Sequence, residues 1–181
     1  TERVSLRIPR FSDATKILDF YIENEAFLSP FDPPKPDGFY SQEFWKKNIQ
    51  TFQNNCINNS QLRFLLICKS TDEVIGMISF TQMERGPFQC CRLGYKLGEK
   101  FTGKGLMTES LEKAISFVFN EKLFHRIEAN YMTDNFASAA VLKRAGFTVE
   151  GIAKNYLFIN NDWRDHTLTS LTNNAWNNFT S

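Results

Sequence analysis

Leu97-Gly-Glu-Lys-Phe-Thr-Gly-Lys-Gly-Leu-Met-Thr-Glu109 joins two runs of different period. Before it, Cys90 to Leu97 has the composition and length of a strand. After it, Leu106, Leu111, Ile115, Val118 and Phe119 mark one apolar face of a helix of roughly four turns. Glycines between a strand and a helix allow backbone N–H groups to converge on an anion at the positive end of the helix, and they remove the Cβ atoms that would hold a pyrophosphate away. Gly103-Lys-Gly105 alone is equally the sequence of a tight turn capping a helix. The segment is neither a Walker loop, which needs four residues between its glycines before Lys-Ser/Thr, nor a Gly-x-Gly-x-x-Gly dinucleotide fingerprint.

Working outward, Val4 to Ile8 alternates as a strand. Ser12 is placed to cap a helix bearing Ile17, Leu18, Tyr21 and Ile22. Leu28 to Gly38 holds four of the six prolines and is expected to be an irregular loop and a candidate binding surface. Ser41 then caps a helix carrying Phe44, Trp45, Ile49 and Phe52, a face that suits core packing better than base stacking. Leu62 to Cys68 and Val74 to Thr81 read as an antiparallel hairpin through Ser70-Thr-Asp-Glu73. Beyond the central helix, Arg126 to Met132 is a strand and Asn135 to Ala145 a short helix closed by Gly146. Phe147 to Ala153 and Arg164 to Leu171 are the last two strands.

The bulk composition limits the function classes. With 181 residues and 42% hydrophobic content, the chain is sized for one domain, residues 1–181, with its own core. A formal net charge of +1 provides no general attraction to nucleic acid or an anionic membrane. The apolar runs are too short to span a bilayer and the first residues lack the pattern of a signal peptide, so a soluble cytoplasmic protein is expected. Cys56, Cys68, Cys90 and Cys91 show no Cys-x-x-Cys spacing, and with only His125 and His166 beside them no metal site is expected. In the adjacent pair Cys90-Cys91, consecutive strand residues face opposite sides of a sheet. One buried and one exposed thiol is therefore expected, with a redox switch as the alternative.

Several blocks together resemble the GNAT superfamily of acetyltransferases, and within it the RimJ/RimL group. Thr102-Gly-Lys-Gly105-Leu-Met107 is similar to that superfamily's Gln/Arg-x-x-Gly-x-Gly/Ala loop. Thr102 stands where the family has a long polar residue, and Met107 where it has a small one. Glu84-Arg-Gly-Pro-Phe-Gln, Leu93-Gly-Tyr, His125 to Met132, Arg144-Ala-Gly-Phe147, Glu150-Gly and Trp163 to Leu171 stand in the same order as in RimJ-type enzymes, as does Leu28-Ser-Pro-Phe-Asp-Pro-Pro34. The resemblance runs from about Arg3 to Trp176 and implies an α+β fold: a mixed, mostly antiparallel sheet flanked by helices and splayed between Cys90–Leu97 and Arg126–Met132.

It also implies acetyl-coenzyme A as co-substrate. The pyrophosphate would be held by Thr102, Gly103, Lys104, Gly105, Leu106, Met107 and Thr108. The pantetheine arm would pair with backbone at Tyr95 and Leu97, and the Leu97 N–H would face the developing oxyanion. Asn135 would contact the arm and Ser138 the thioester sulfur, although Asn and Ser here are also ordinary helix-capping residues. A tyrosine, Tyr131 or Tyr156, is the alternative acid. Spacing marks no carboxylate as a base, since Glu84, Glu109 and Asp165 all read as surface charges.

The acceptor implied is the α-amine of an N-terminal alanine, on a ribosomal protein, lying between the loop 28–38 and the turn after Thr81. An α-amine near pKa ~8 is about one-tenth neutral at pH 7 and demands little of a base, whereas a lysine near ~10.4 demands far more. The rival readings are acetylation of a small amine, such as a polyamine or an antibiotic, and a coenzyme A-binding interaction protein with little catalysis. The sequence leaves monomer or homodimer open.

Overall fold

The computed structural model describes residues 1–177. Seven strands form one sheet in the order β1-β2-β3-β4-β5-β7-β6. They are β1 (Val4–Arg7), β2 (Leu62–Cys68), β3 (Val74–Glu84), β4 (Cys90–Leu97), β5 (Arg126–Met132), β6 (Thr148–Ile159) and β7 (Asp162–Thr172). Every neighbouring pair is antiparallel except β4 with β5. The helices are α1 (Ala14–Glu23), the single turn α2 (Glu25–Leu28), α3 (Gln42–Ile57), α4 (Leu106–Asn120) and α5 (Phe136–Arg144).

Alternating side chains give the sheet a core on each face. Leu66 belongs to the cluster with Leu111, Ile115, Val118 and Leu142 of α4 and α5. Leu65 and Ile67 belong to the one with Ile17, Phe20, Trp45 and Ile49 of α1 and α3. A fully buried side chain such as Leu111 contributes about 1.5–3 kcal/mol over its exposed state. The α1–α3 cluster is aromatic: the Tyr21 and Trp45 rings stack at 4.9 Å, with Phe39 edge-on to both. Phe44 and Phe52 pack against this cluster, as the expected helix face required.

The pairing of β4 with β5 positions the site. It covers only Cys90, Cys91 and Arg92 opposite Arg126, Ile127 and Glu128. Beyond that point β4 follows β3 to the Gly76–Leu97 pair and β5 follows β7 to the Met132–His166 pair. The sheet therefore opens into a V, splayed and flanked by helices on both faces as expected.

Several local expectations are corrected. Ser12 does not cap α1. A short 3-10 turn, Phe11–Asp13, precedes the helix, and the Asp13 carboxylate accepts both the Arg7 guanidinium at 2.6 Å and the Arg10 N–H at 2.7 Å. Cys90 and Cys91 are both buried, because β4 is a central strand covered on both faces. Burial pushes their thiols up to about 11 and about 12, the opposite of what a redox switch needs. The last hairpin is longer than expected and closes through Asn160-Asn161, whose φ values of 49° and 61° fit the tight turn that asparagine tolerates. Leu28–Gly38 is irregular apart from the 3-10 turn Ser29–Phe31. Ser41 caps α3 as expected, its Oγ accepting the Phe44 N–H at 3.2 Å.

Candidate active site

Antiparallel strands alternate hydrogen-bonded and non-bonded pairs. The Gly98 N–H donates to the Ile75 carbonyl at 2.8 Å, in the same register that places Gly76 opposite Leu97. Counting back by twos, the N–H and C=O groups of Leu97 and Tyr95 turn away from β3 and into the V. The family resemblance implies an open strand edge at Tyr95 and Leu97; the ladder parity adds that the backbone groups of these two residues are the ones not paired with β3. An extended arm entering the V could add to this edge as a strand does.

At the end of β4 the chain makes a 3-10 turn, Glu99–Phe101, and rises to α4 through Thr102, Gly103, Lys104 and Gly105. Gly103 and Gly105 have φ of 71° and 74°, a backbone that L side chains rarely adopt. Gly105 is the N-cap of α4 and has no side chain to satisfy the first N–H groups of the helix, so Leu106, Met107 and Thr108 present theirs unanswered by a cap. Leu106 and Met107 are buried and anchor this end of α4 in the core. The Thr102 hydroxyl donates to the Glu99 carbonyl at 2.8 Å, and the Lys104 ammonium to the Lys100 carbonyl at 2.7 Å. Both side chains thus bind the loop itself.

Two residues outside the motif hold this loop. Asn24, buried at the end of α1, accepts the Glu99 N–H at 2.9 Å and donates to the Phe20 carbonyl at 2.8 Å. Arg3, on the residue before β1, donates to the Lys104 carbonyl at 2.9 Å and to Glu109. Neither has a sequence signal, because each reaches the loop from an element more than seventy residues away.

Across the V, the Asn135 Oδ1 accepts the Ser138 N–H at 3.0 Å and caps α5. The Ser138 hydroxyl lies within hydrogen-bonding reach of the Tyr95 hydroxyl. The Tyr95 hydroxyl donates to the Ser138 carbonyl at 3.3 Å, spanning the two walls, and burial pushes it up to about 12, so it stays protonated. Asn135, Ser138, Tyr95 and Leu97 are thus brought to one opening. Tyr156 is engaged elsewhere, accepting from the Asn130 amide at 3.1 Å. Tyr131 packs on the core.

The carboxylates near the site are committed to ion pairs. Glu109 pairs with Arg3 at 2.5 Å, and Asp165 with Lys154 at 2.6 Å. Glu84 is exposed at the end of β3. Asp32, from the proline-rich loop, is buried between Lys35 and Lys96, the latter at 2.6 Å. It pins that loop to β4 one residue before Leu97.

The turn after β3 does not join the loop 28–38 around one opening. It lies at the other end of β4, where Arg85 donates to the Lys122 and Leu123 carbonyls. His125 packs edge-on against Trp176, and buried His166 bonds the Arg164 carbonyl at 3.0 Å through Nδ1. Among the described residues no group of three or more His, Cys, Asp or Glu gathers to hold a metal. None of the described helices is long and apolar enough to cross a membrane.

Comparison with known proteins places this geometry in context. Residues 3–148 match the family model of the acetyltransferase (GNAT) domain. The chain is 39% identical over 176 residues, 97% of its own length and 91% of the relative's, to the ribosomal protein uS5-alanine N-acetyltransferase of Escherichia coli. The structure of the ribosomal-protein-S5-alanine acetyltransferase from Vibrio fischeri superposes with a TM-score of 0.95 at 34% identity, covering 98% of this chain and 97% of that one. RimJ of Mycobacterium smegmatis, solved in complex with CoA-disulfide, superposes at 0.88 with 27% identity, covering 93% and 81%.

Proposed function

The chain belongs to the GNAT acetyltransferase family, and on that premise we propose that it acetylates the α-amine of a protein N-terminal alanine, with a ribosomal protein as the acceptor. It is an acetyl-coenzyme A-dependent N-acetyltransferase. The observation that carries the choice of acceptor is the 39% identity, sustained over 97% of this chain, to an enzyme named for a ribosomal-protein alanine. One domain, residues 1–181, carries the activity, and the enzyme works in the cytoplasm.

The site residues fit the co-substrate. The first N–H groups of α4 stand without a cap behind two left-handed glycines, and nothing lies within 4 Å of a Cβ built on Gly103. The backbone of Gly103, Lys104, Gly105, Leu106, Met107 and Thr108 would hold the pyrophosphate, with Thr102 shaping the turn before it. The free edge at Tyr95 and Leu97 would take the pantetheine arm, with Asn135 on the facing wall. Bound acetyl-coenzyme A supplies a thioester carbonyl that a neutral amine attacks directly, the C–N bond forming as the C–S bond breaks. The Leu97 N–H is the donor for charge developing on the carbonyl oxygen. The Ser138 hydroxyl donates to the leaving sulfur, and Tyr95 fixes the turn that carries Ser138. Proton removal from the acceptor falls to solvent, since Glu109 and Asp165 are ion-paired and Glu84 lies at the far end of β4 from Leu97.

The test is mass spectrometry of two matched peptides incubated with acetyl-coenzyme A. One has a free N-terminal alanine and internal lysines; the other has that terminus blocked. Acetylation confined to the free α-amine is expected. Lysine acetylation on both peptides, or none on either despite coenzyme A binding, would overturn the choice of acceptor.

A further inference from the structure

The peptide between Lys104 and Gly105 lies among glycines, where a flip of the peptide plane meets little steric resistance. Nothing inside the loop selects its orientation, because the Thr102 hydroxyl and the Lys104 ammonium are both bonded to carbonyls further back, at Glu99 and Lys100. Selection comes from outside. Arg3 Nη1 donates to the Lys104 carbonyl at 2.9 Å, while Nε and Nη2 donate to Glu109 Oε2 at 2.8 and 2.5 Å. The other Glu109 oxygen accepts the Thr1 hydroxyl at 2.6 Å, so the guanidinium is itself held in place. Nη2 is the atom nearest to a Cβ built on Gly105, at 3.6 Å.

A trans peptide is planar, so its C=O and the following N–H point in opposite directions. No peptide bond in the described chain is cis. With the Lys104 carbonyl drawn to Arg3, the Gly105 N–H must turn away from Arg3. A flipped plane would reverse this and present a carbonyl dipole where an N–H now points, repelling an anion in the cradle. Arg3 also neutralises Glu109, whose carboxylate in the first turn of α4 would otherwise stand beside the anion site uncompensated.

We propose that Arg3 is a positioning residue for the coenzyme, fixing the plane of the Lys104–Gly105 peptide so that the glycine loop meets the pyrophosphate with N–H groups rather than a carbonyl. The proposal rests on assigning this loop to the pyrophosphate. Arg3 acts through the loop and touches no reacting atom, so its effect belongs to donor affinity and not to turnover.

The test compares acetyl-coenzyme A with acetyl-pantetheine, a donor without pyrophosphate, in the intact enzyme and in Arg3→Gln. The variant is expected to raise KM for acetyl-coenzyme A on the order of tenfold, as one oriented charge-assisted hydrogen bond implies. Its kcat should stay within about twofold and its KM for acetyl-pantetheine should not change. Arg3→Lys retains the charge but cannot bond Lys104 and Glu109 with the same planar fork, and should show the same contrast if Arg3→Gln folds poorly. An equal loss with both donors would reduce Arg3 to a general structural role, and an unchanged KM for acetyl-coenzyme A would also overturn the proposal. If the unmodified enzyme used acetyl-pantetheine as well as acetyl-coenzyme A, the assignment of the loop itself would fail, a different result from the other two.

Discussion

Ser138 stands where two roles meet, since its N–H completes the cap made by Asn135 and its hydroxyl lies beside that of Tyr95 at the V. A neutral hydroxyl donating to a sulfur that bears only part of its charge in the transition state is worth about 1 kcal/mol, near the value for neutral hydrogen bonds. Ser138→Ala should therefore lower kcat by on the order of tenfold or less, with KM for acetyl-coenzyme A nearly unchanged. The cap survives this change, because the bond is made by the Ser138 backbone. Steady-state kinetics on an alanine-initiated peptide decide the matter: a loss of about a thousandfold would instead make Ser138 the obligatory proton donor. Capping and chemistry are thus separable at a position where sequence alone could not choose between them.

At the scale of elements, the end of β4 depends on how closely β3 approaches it. A Cβ built on Gly76 would lie 2.4 Å from the Lys96 carbonyl and 3.2 Å from the Leu97 Cα, and both neighbours are backbone. Gly76→Ala should force β3 and β4 apart at the pair that bears Leu97. A loss of about 2 kcal/mol or more, in the range of overpacked cores, should appear as a lower urea midpoint. The residual activity of the folded fraction should fall as well, because the displaced strand edge is the one assigned to the pantetheine arm. Full stability in the alanine variant would mean that the two strands have more freedom here than their register indicates.

Gly76 also shows where legibility in the sequence ends. The apolar period of α4, the Ser41 cap and the glycines before Leu106 are local signals, and each predicts its element without reference to the rest of the chain. Gly76 sits inside a strand-like run and has no local signal of which backbone crowds it. Nor do Arg3 and Asn24, whose partners at Lys104 and Glu99 lie 101 and 75 positions away. The shared burial of Cys90 and Cys91 is equally non-local, since a strand's own alternation says nothing about a second layer covering its other face. The splay became visible through a family resemblance. In physical terms it is a pairing that stops after Arg92, and no single strand carries that information.

For the molecule as a whole, pH should act on folding and on catalysis in separate ranges. Glu150, bonded by the Arg126 guanidinium at 2.6 Å and the Ser170 hydroxyl at 2.7 Å, is held below the usual carboxylate range. Asp165 is lowered by Lys154 and by the Asn155 N–H. Burial works against the charge on Asp13, but the bonds from Arg7 and Arg10 prevail and leave it lowered too. A group with a lower pKa in the folded state binds fewer protons there than in the unfolded chain. Its contribution is complete above the unfolded value near ~4 and is lost as pH falls through the folded one. Urea midpoints should be level from about pH 5.5 to 8 and fall below about pH 4, with Asp13→Asn less stable at neutral pH and shallower in acid. Catalysis should respond at the other end of the scale. Tyr95 stays protonated, pushed up to about 12, and Glu109 and Asp165 are held in ion pairs, so the proton that limits attack is the acceptor's own. On an alanine-initiated peptide, log kcat/KM should rise with unit slope and level off near the α-amine pKa of ~8. Shifting that pKa by changing the acceptor should shift the break with it. A break that stays fixed across acceptors would place the base on the enzyme.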